Sequence, residues 1–267
     1  MMIYNVTSSR GSSRNPYGPS VWIGDEIYKH LNYDLEVSTS TRPGASLEQL
    51  ADMAFGDHYS RGCPPNSFVY FLGGYCDAVY RVVENNYTQE DNGIIYNLGR
   101  YEEVGYWEEE MVFLERMLNL IREVDERVKS EGLRPVFATI PPGMLERWNM
   151  ARLEKGKTCV LHYQDSYEEM QWHLNRDLTT LNGYIKKINI ANSVYTPYIA
   201  GTVLNTNKSD YLFPIFSHHK LSDGVHASNN LLVTWAKKMA ASINKNVEGA
   251  PSLPPLLPTL SPDLFVY

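Results

Sequence analysis

Cysteine is scarce in this chain. Its 267 residues hold three, Cys63, Cys76 and Cys159. An odd number at wide spacing builds neither a disulfide framework nor a C-x-x-C metal site, and it fits a reducing compartment. Long apolar runs are missing as well. No window approaches the roughly 18 apolar residues of a membrane-spanning helix, so no membrane span is expected. The segment Met1 to Arg10 lacks the basic stretch and apolar core of a secretory signal, which makes an intracellular, cytoplasmic location the expectation. Positive charge is in deficit: 24 Lys and Arg stand against 31 Asp and Glu, a net charge of −7. A broad, sequence-independent grip on nucleic acid needs clustered Lys and Arg and is not expected. The group Arg147, Arg152, Lys155 and Lys157 reads as a solvated loop. His218 and His219 are adjacent and have no Asp, Glu or Cys partner at ligand spacing, so neither a metal nor another cofactor is expected.

What is present suits one folded domain of somewhat above average size, or two small ones. Hydrophobic residues make up 43% and charged residues 21% of the chain, enough to bury a sizeable core. Apolar runs at Val21–Ile23, Leu35–Ser38, Phe68–Leu72, Val136–Ile140 and Ile199–Leu204 read as strands. Helical periodicity covers Leu47–Phe55, Trp107–Glu131, Tyr167–Ile190 and Asn229–Ile243. In the second of these helices Met111, Leu114, Leu118, Ile121 and Val128 form one apolar stripe. In the third, Met170, Leu174, Leu178, Leu181, Ile185 and Ile188 do the same. Strands alternating with helices predict a three-layer α/β/α sandwich around a mostly parallel, flavodoxin-like sheet. Residues 1–17, rich in Ser, Arg, Asn and Gly, read as a flexible N-terminal arm. Residues 18–245 read as the domain, with a polar, Tyr-rich insertion at 85–106. Residues 246–267 form a tail with Pro251, Pro254, Pro255, Pro258 and Pro262. Proline at that density favours an extended chain, one suited to a groove on a partner protein or to lying across its own domain.

Four turns carry candidate chemistry. Asp223-Gly224-Val225-His226 places a carboxylate three residues before an imidazole, an arrangement that can orient a general base. Gly24-Asp25-Glu26 follows the apolar run at Val21. Arg42-Pro43-Gly44 precedes a helix. Gly74-Tyr75-Cys76-Asp77 follows the run Phe68–Leu72. Loops at the carboxyl ends of parallel strands are where such sheets present ligand sites.

Taken in chain order, with Asp223–His226 last, the four turns resemble the motif blocks of the SGNH or GDSL hydrolases, over roughly residues 18 to 245. Trp148-Asn149, Leu221–His226 and Trp235 resemble SGNH-like domains carried by animal mobile elements. The resemblance implies His226 as base, Asp223 as the group that orients it, and Gly44, Gly74 and the position of Cys76 at the oxyanion hole. Gly24, Asp25 and Asp77 are supporting residues, and the ligand is a small-molecule ester or acyl compound. Two positions depart from the pattern. The serine expected after Gly24-Asp25 is Glu26, and the asparagine expected before Asp77 is Cys76. A carboxylate cannot run a serine acyl-enzyme route, and a thiol is a weak donor. Two readings follow. One is a degenerate hydrolase that works by binding. The other is an active esterase that uses His226 and Asp223 with an altered nucleophile or activated water. A serine from elsewhere, such as Ser20 or Ser46, within hydrogen-bond reach of His226 separates them. Ser8, Ser9, Ser12 and Ser13 supply hydroxyls but lie in the expected arm. If the block order holds, Glu26 itself approaches His226.

Overall fold

Strand-forming residues begin at the second position of the chain. Met2–Ser8 forms β1 in the computed structural model, which describes residues 1–13, 20–61, 63–80, 88–91, 94–97, 110–154, 167–203 and 221–249. Every residue of β1 is buried. It lies between β2 (Glu36–Arg42) and β3 (Phe68–Leu72), and β3 pairs with β6 (Arg134–Phe137). All three pairings are parallel, in the order β2-β1-β3-β6. The N-terminal segment is therefore not an arm, and the domain does not begin at residue 18. Ile3, Tyr4, Val6 and Thr7 are strand formers that a two-sided core rewards. The polar side chains of Asn5 and Thr7 meet β2 sideways: the Asn5 amide N–H donates to Thr39 Oγ1 at 3.4 Å, and the Thr7 and Thr41 hydroxyls lie 3.1 Å apart.

The helices cover both faces. On one side Met2, Tyr4, Val6, Val69, Phe71 and Phe137 pack against α2 (Leu47–Arg61), α4 (Glu110–Ser130) and α6 (Tyr167–Ala191). On the other side Ile3, Phe68, Tyr70, Leu72 and Val136 meet α1 (Ile23–Tyr28) and α7 (Asn229–Glu248). Between these elements come α3 (Tyr75–Tyr80), α5 (Leu145–Leu153) and a two-stranded antiparallel ribbon, β4 (Thr88–Asp91) and β5 (Ile94–Asn97), inside the expected insertion. The result is a three-layer α/β/α arrangement around a parallel sheet. Of the two stripes expected on α4 and α6, Leu114, Leu118, Ile121, Val128, Leu174, Leu178, Leu181, Ile185 and Ile188 are buried.

Several boundaries differ from expectation. Val21–Ile23 is not a strand: Ile23 opens α1, where Asp25 and Glu26 occupy the first turn and face the partial positive charge of a helix start. Ile199–Leu204 is not a strand either, since Ala200–Val203 is a short 3₁₀ turn. α7 runs past residue 246 to Glu248, with Asn246 buried, so the domain extends beyond 245. The tail from residue 250, the pair His218–His219 and the rest of the insertion lie outside the described residues.

β6 has no strand on its outer side among the described residues; asparagines of α6 take that place. Asn189 accepts from Phe137 N at 3.1 Å and donates to Phe137 O at 2.7 Å. One heptad earlier, Asn182 accepts from Ile140 N at 2.6 Å and donates to Ile140 O at 3.0 Å. Each amide offers the donor and acceptor that a neighbouring strand would offer, and so covers an edge that would otherwise be unpaired. No described helix is long and apolar enough to cross a membrane.

Candidate active site

β1 ends in Ser8, and the chain turns at once through the 3₁₀ segment Ser9–Gly11. The turn delivers the Ser9 hydroxyl to the carboxyl end of the sheet, half-buried, 3.0 Å from His226 Nε2. The other ring nitrogen, Nδ1, lies 2.8 Å from Asp223 Oδ2 and 3.0 Å from Oδ1. Both nitrogens of the imidazole are thus engaged, one by a hydroxyl and one by a carboxylate, in a Ser–His–Asp relay. The geometry is satisfied with Nδ1–H donating to Asp223 and Nε2 free to accept from Ser9.

The loop that carries His226 is a small closed unit. Leu221 and Ala227 pair across its base, and Ser222 N donates to His226 O at 2.8 Å. Inside, Asp223 Oδ1 accepts the backbone N–H groups of Val225 at 3.2 Å and His226 at 2.8 Å. Asp223 is not the cap of the helix that follows; Ser228 is, accepting from Leu231 N. Burial alone would push the Asp223 carboxyl up. The hydrogen bond and charge of His226, with the two backbone N–H groups, outweigh it and hold the carboxyl well below the usual carboxylate range. Asp223 therefore stays ionised beside the ring. Gly224, at φ +84°, lets this loop touch α5: an added Cβ would sit 2.5 Å from Met144 O and 2.6 Å from Trp148 N, both backbone atoms. The contact is closed by Met144 N donating to Gly224 O at 2.7 Å.

Two further turns converge on the same strand ends. Ser8 is paired with Arg42, so the turn Arg42-Pro43-Gly44 leaves β2 next to Ser9. Gly44 is exposed at φ +72°, and an added Cβ there would meet nothing, so its backbone faces open space. The start of α2 behind it carries a reciprocal cap: Gln49 N donates to Ser46 Oγ, and Ser46 N to Gln49 Oε1, both at 3.2 Å. Asp77 joins this turn to the one after β3 by accepting from Leu47 N at 3.0 Å. Burial pushes the Asp77 carboxyl up to about 6, while the Leu47 N–H pulls the other way. Gly74 begins this third turn at φ +93°. Cys76, half-buried in the first turn of α3, is held protonated. Burial pushes its thiol up to about 11, Asp77 adds to the rise and Arg10 opposes it.

Of the residues expected at the site, His226 and Asp223 meet, and Gly44, Gly74, Cys76 and Asp77 lie on the turns after β2 and β3. Glu26, Gly24 and Asp25 are elsewhere. Glu26, on α1, pairs with Lys29 at the end of that helix, and the His226 ring nitrogens are engaged by Asp223 and Ser9 rather than by Glu26. Gly24 and Asp25 line a cleft of about 660 Å³ between α1 and β2, with Trp22, Tyr28 and Thr39. Gly24-Asp25 imitates the motif only because a short helix begins there. The residue missed was Ser9. A run of strand formers ending in Ser8-Ser9-Arg10-Gly11 is the signal that could have found it. Among the described residues no group of His, Cys, Asp and Glu could hold a metal ion.

No sequence model of a protein family matches the chain, and no curated protein sequence matches it. Its fold does match solved structures. A GDSL-like lipase from Bacteroides thetaiotaomicron superposes with a TM-score of 0.51 at 12% identity, over 94% of this chain and 89% of that one. A catalytic mutant of an acetylxylan esterase from Geobacillus stearothermophilus gives 0.50 at 12% identity, over 92% and 93%. The chain has the fold of the SGNH/GDSL hydrolases.

Proposed function

We propose that this protein is a serine hydrolase of esters in which Ser9 is the nucleophile, His226 the general base and Asp223 the group that orients and charges the imidazole. The observation that carries the reading is the 3.0 Å contact between Ser9 Oγ and His226 Nε2 at the carboxyl end of the central strand. In the first step Ser9 Oγ attacks the ester carbonyl carbon while its proton passes to His226 Nε2. The imidazolium that forms is stabilised by ionised Asp223. Backbone N–H groups of Ser9 and Gly44 are the donors offered to the oxyanion. His226 returns the proton to the departing alcohol, leaving an acyl group on Ser9. Water, deprotonated by His226, then releases the acid and restores the hydroxyl. The reading of Glu26 as a failed nucleophile loses its basis, because Glu26 stands on α1 and a serine stands at the base. The resting Cys76 thiol is too basic to act as a nucleophile at neutral pH.

One observation favours a second reading. Cys76 occupies the position where the resemblance implies an asparagine donor, and a neutral thiol donates weakly. On that reading the triad is retained but the protein chiefly binds an acyl ligand. A fluorophosphonate probe with mass mapping tests the first reading. Covalent label on Ser9, lost in His226→Ala, supports an active serine. An unlabelled wild-type protein refutes it and leaves the binding reading.

A further inference from the structure

Arg10, the residue after the proposed nucleophile, is 2% exposed and lies among the residues that support the site. Burial pulls its guanidinium down to about 10, while Tyr75, Cys76 and Asp223 nearby act to raise it. A cation in that setting is costly unless its donors are used. Here they are. Nε donates to Val225 O at 3.1 Å, Nη2 to Pro142 O at 2.9 Å and Nη1 to Pro141 O. The guanidinium also lies 4.3 Å from the Tyr75 ring centre and 5.5 Å from that of Trp235.

The three carbonyls are not equivalent. Val225 O belongs to the peptide unit that leads into His226. The N–H of that same unit donates to Asp223 Oδ1 at 2.8 Å. The peptide plane carrying the imidazole is therefore gripped at both ends, by Asp223 on its N–H and by Arg10 on its C=O. Arg10 is in turn bonded covalently to Ser9. One side chain thus ties the hydroxyl, the histidine loop and the Pro141-Pro142 turn into a single frame.

We propose that Arg10 is a positioning residue that sets the His226 ring against the Ser9 hydroxyl through the Val225–His226 peptide. It does not touch substrate, being buried behind the turn. The planar fork of arginine is what the geometry requires, since a lysine ammonium is a point charge that cannot span three carbonyls on two separate segments. The proposal rests on the serine-hydrolase reading for its kinetic consequence but not for its structural one.

Two measurements test it. In the first, Arg10→Lys and Arg10→Met are compared with wild type on a short-chain nitrophenyl ester. A misplacement of about 1 Å can cost about a hundredfold in rate. The expected result is a kcat lowered about tenfold to a hundredfold, KM within about threefold, and a displaced acid limb of the kcat/KM pH profile. Unchanged kcat and pH profile in a folded variant overturn the proposal. The second measurement uses wild-type protein and needs neither activity nor a variant. The Arg10 Nε–H resonance is followed by ¹H–¹⁵N NMR while His226 is titrated. Arg10 gripping the His226 peptide predicts that the signal moves with the titration of His226. A signal indifferent to it overturns the proposal, even if the variants do not fold. Wild-type protein that neither hydrolyses esters nor takes the fluorophosphonate label defeats the hydrolase reading alone, and the NMR result then decides the role of Arg10.

Discussion

Replacing Ser9 with alanine separates the two places where a nucleophile could have stood. The substitution removes one hydroxyl from a half-buried turn and breaks the hydrogen bond to His226 Nε2 at 3.0 Å. Its cost to stability is about 1 kcal/mol, so the fold survives and circular dichroism should show an intact melt. Its cost to catalysis is of another order. Triad members act as a unit, and losing the nucleophile costs about a millionfold in kcat, or about 8 kcal/mol of barrier. With Cys76 at one donor position, wild type itself starts about a hundredfold low. The drop measurable above background should therefore be at least about ten-thousandfold. Glu26→Ala is the contrast. Glu26 pairs with Lys29, whose side chain is 61% exposed. Such pairs are worth about 0–1 kcal/mol, and turnover should stay within about twofold of wild type. Hydrolysis of a short-chain nitrophenyl ester by the two variants, at matched protein concentration, is the assay. Activity that vanishes in Glu26→Ala and persists in Ser9→Ala refutes the reasoning outright.

Cys76→Asn adds an amide donor where a neutral thiol stands. One oxyanion donor is worth about a hundredfold or more when lost, and a rise in kcat of at least about tenfold on the same ester is expected. Asn189→Leu leaves the N–H and C=O of Phe137, both now bonded to that amide, without partners at a buried strand edge. Each orphaned group costs about 1–3 kcal/mol, which a fall in the urea midpoint should register. Asp77 gives a pH signature. Its folded carboxyl is raised to about 6 from an ordinary 3.8, so between those values the folded state holds the proton more tightly than the unfolded chain. Stability from this group is present below about pH 4 and is lost as pH rises through about 6. Asp77→Asn, which can still accept from Leu47 N, should flatten that loss in urea titrations between pH 4 and 7. An unchanged slope would show that Asp77 is not its source.

The sequence alone determined the elements whose pattern is local. Phe68–Leu72 is an uninterrupted apolar run and is β3 as read, because a strand buried on both faces needs no alternation. The helices α4 and α6 declare themselves by stripes at helical spacing, and Asp223 and His226 meet because the two residues between them suffice to turn one toward the other. Gly44 and Gly74 were legible because turns with positive φ call for glycine. The tertiary structure decided what depends on neighbours. β1 contains Asn5 and Thr7, polar residues that look out of place in a buried strand until β2 supplies Thr39 and Thr41 beside them. Without that pairing the first residues read as an arm, and Ser9 read as one serine among several. The same lack of context let Gly24-Asp25, the opening of a short helix, pass for the motif that follows the first strand. Ser9 and His226 are 217 positions apart in the chain. Only the crossover order β2-β1-β3-β6, which places the first strand at the centre of the sheet, brings them within a hydrogen bond.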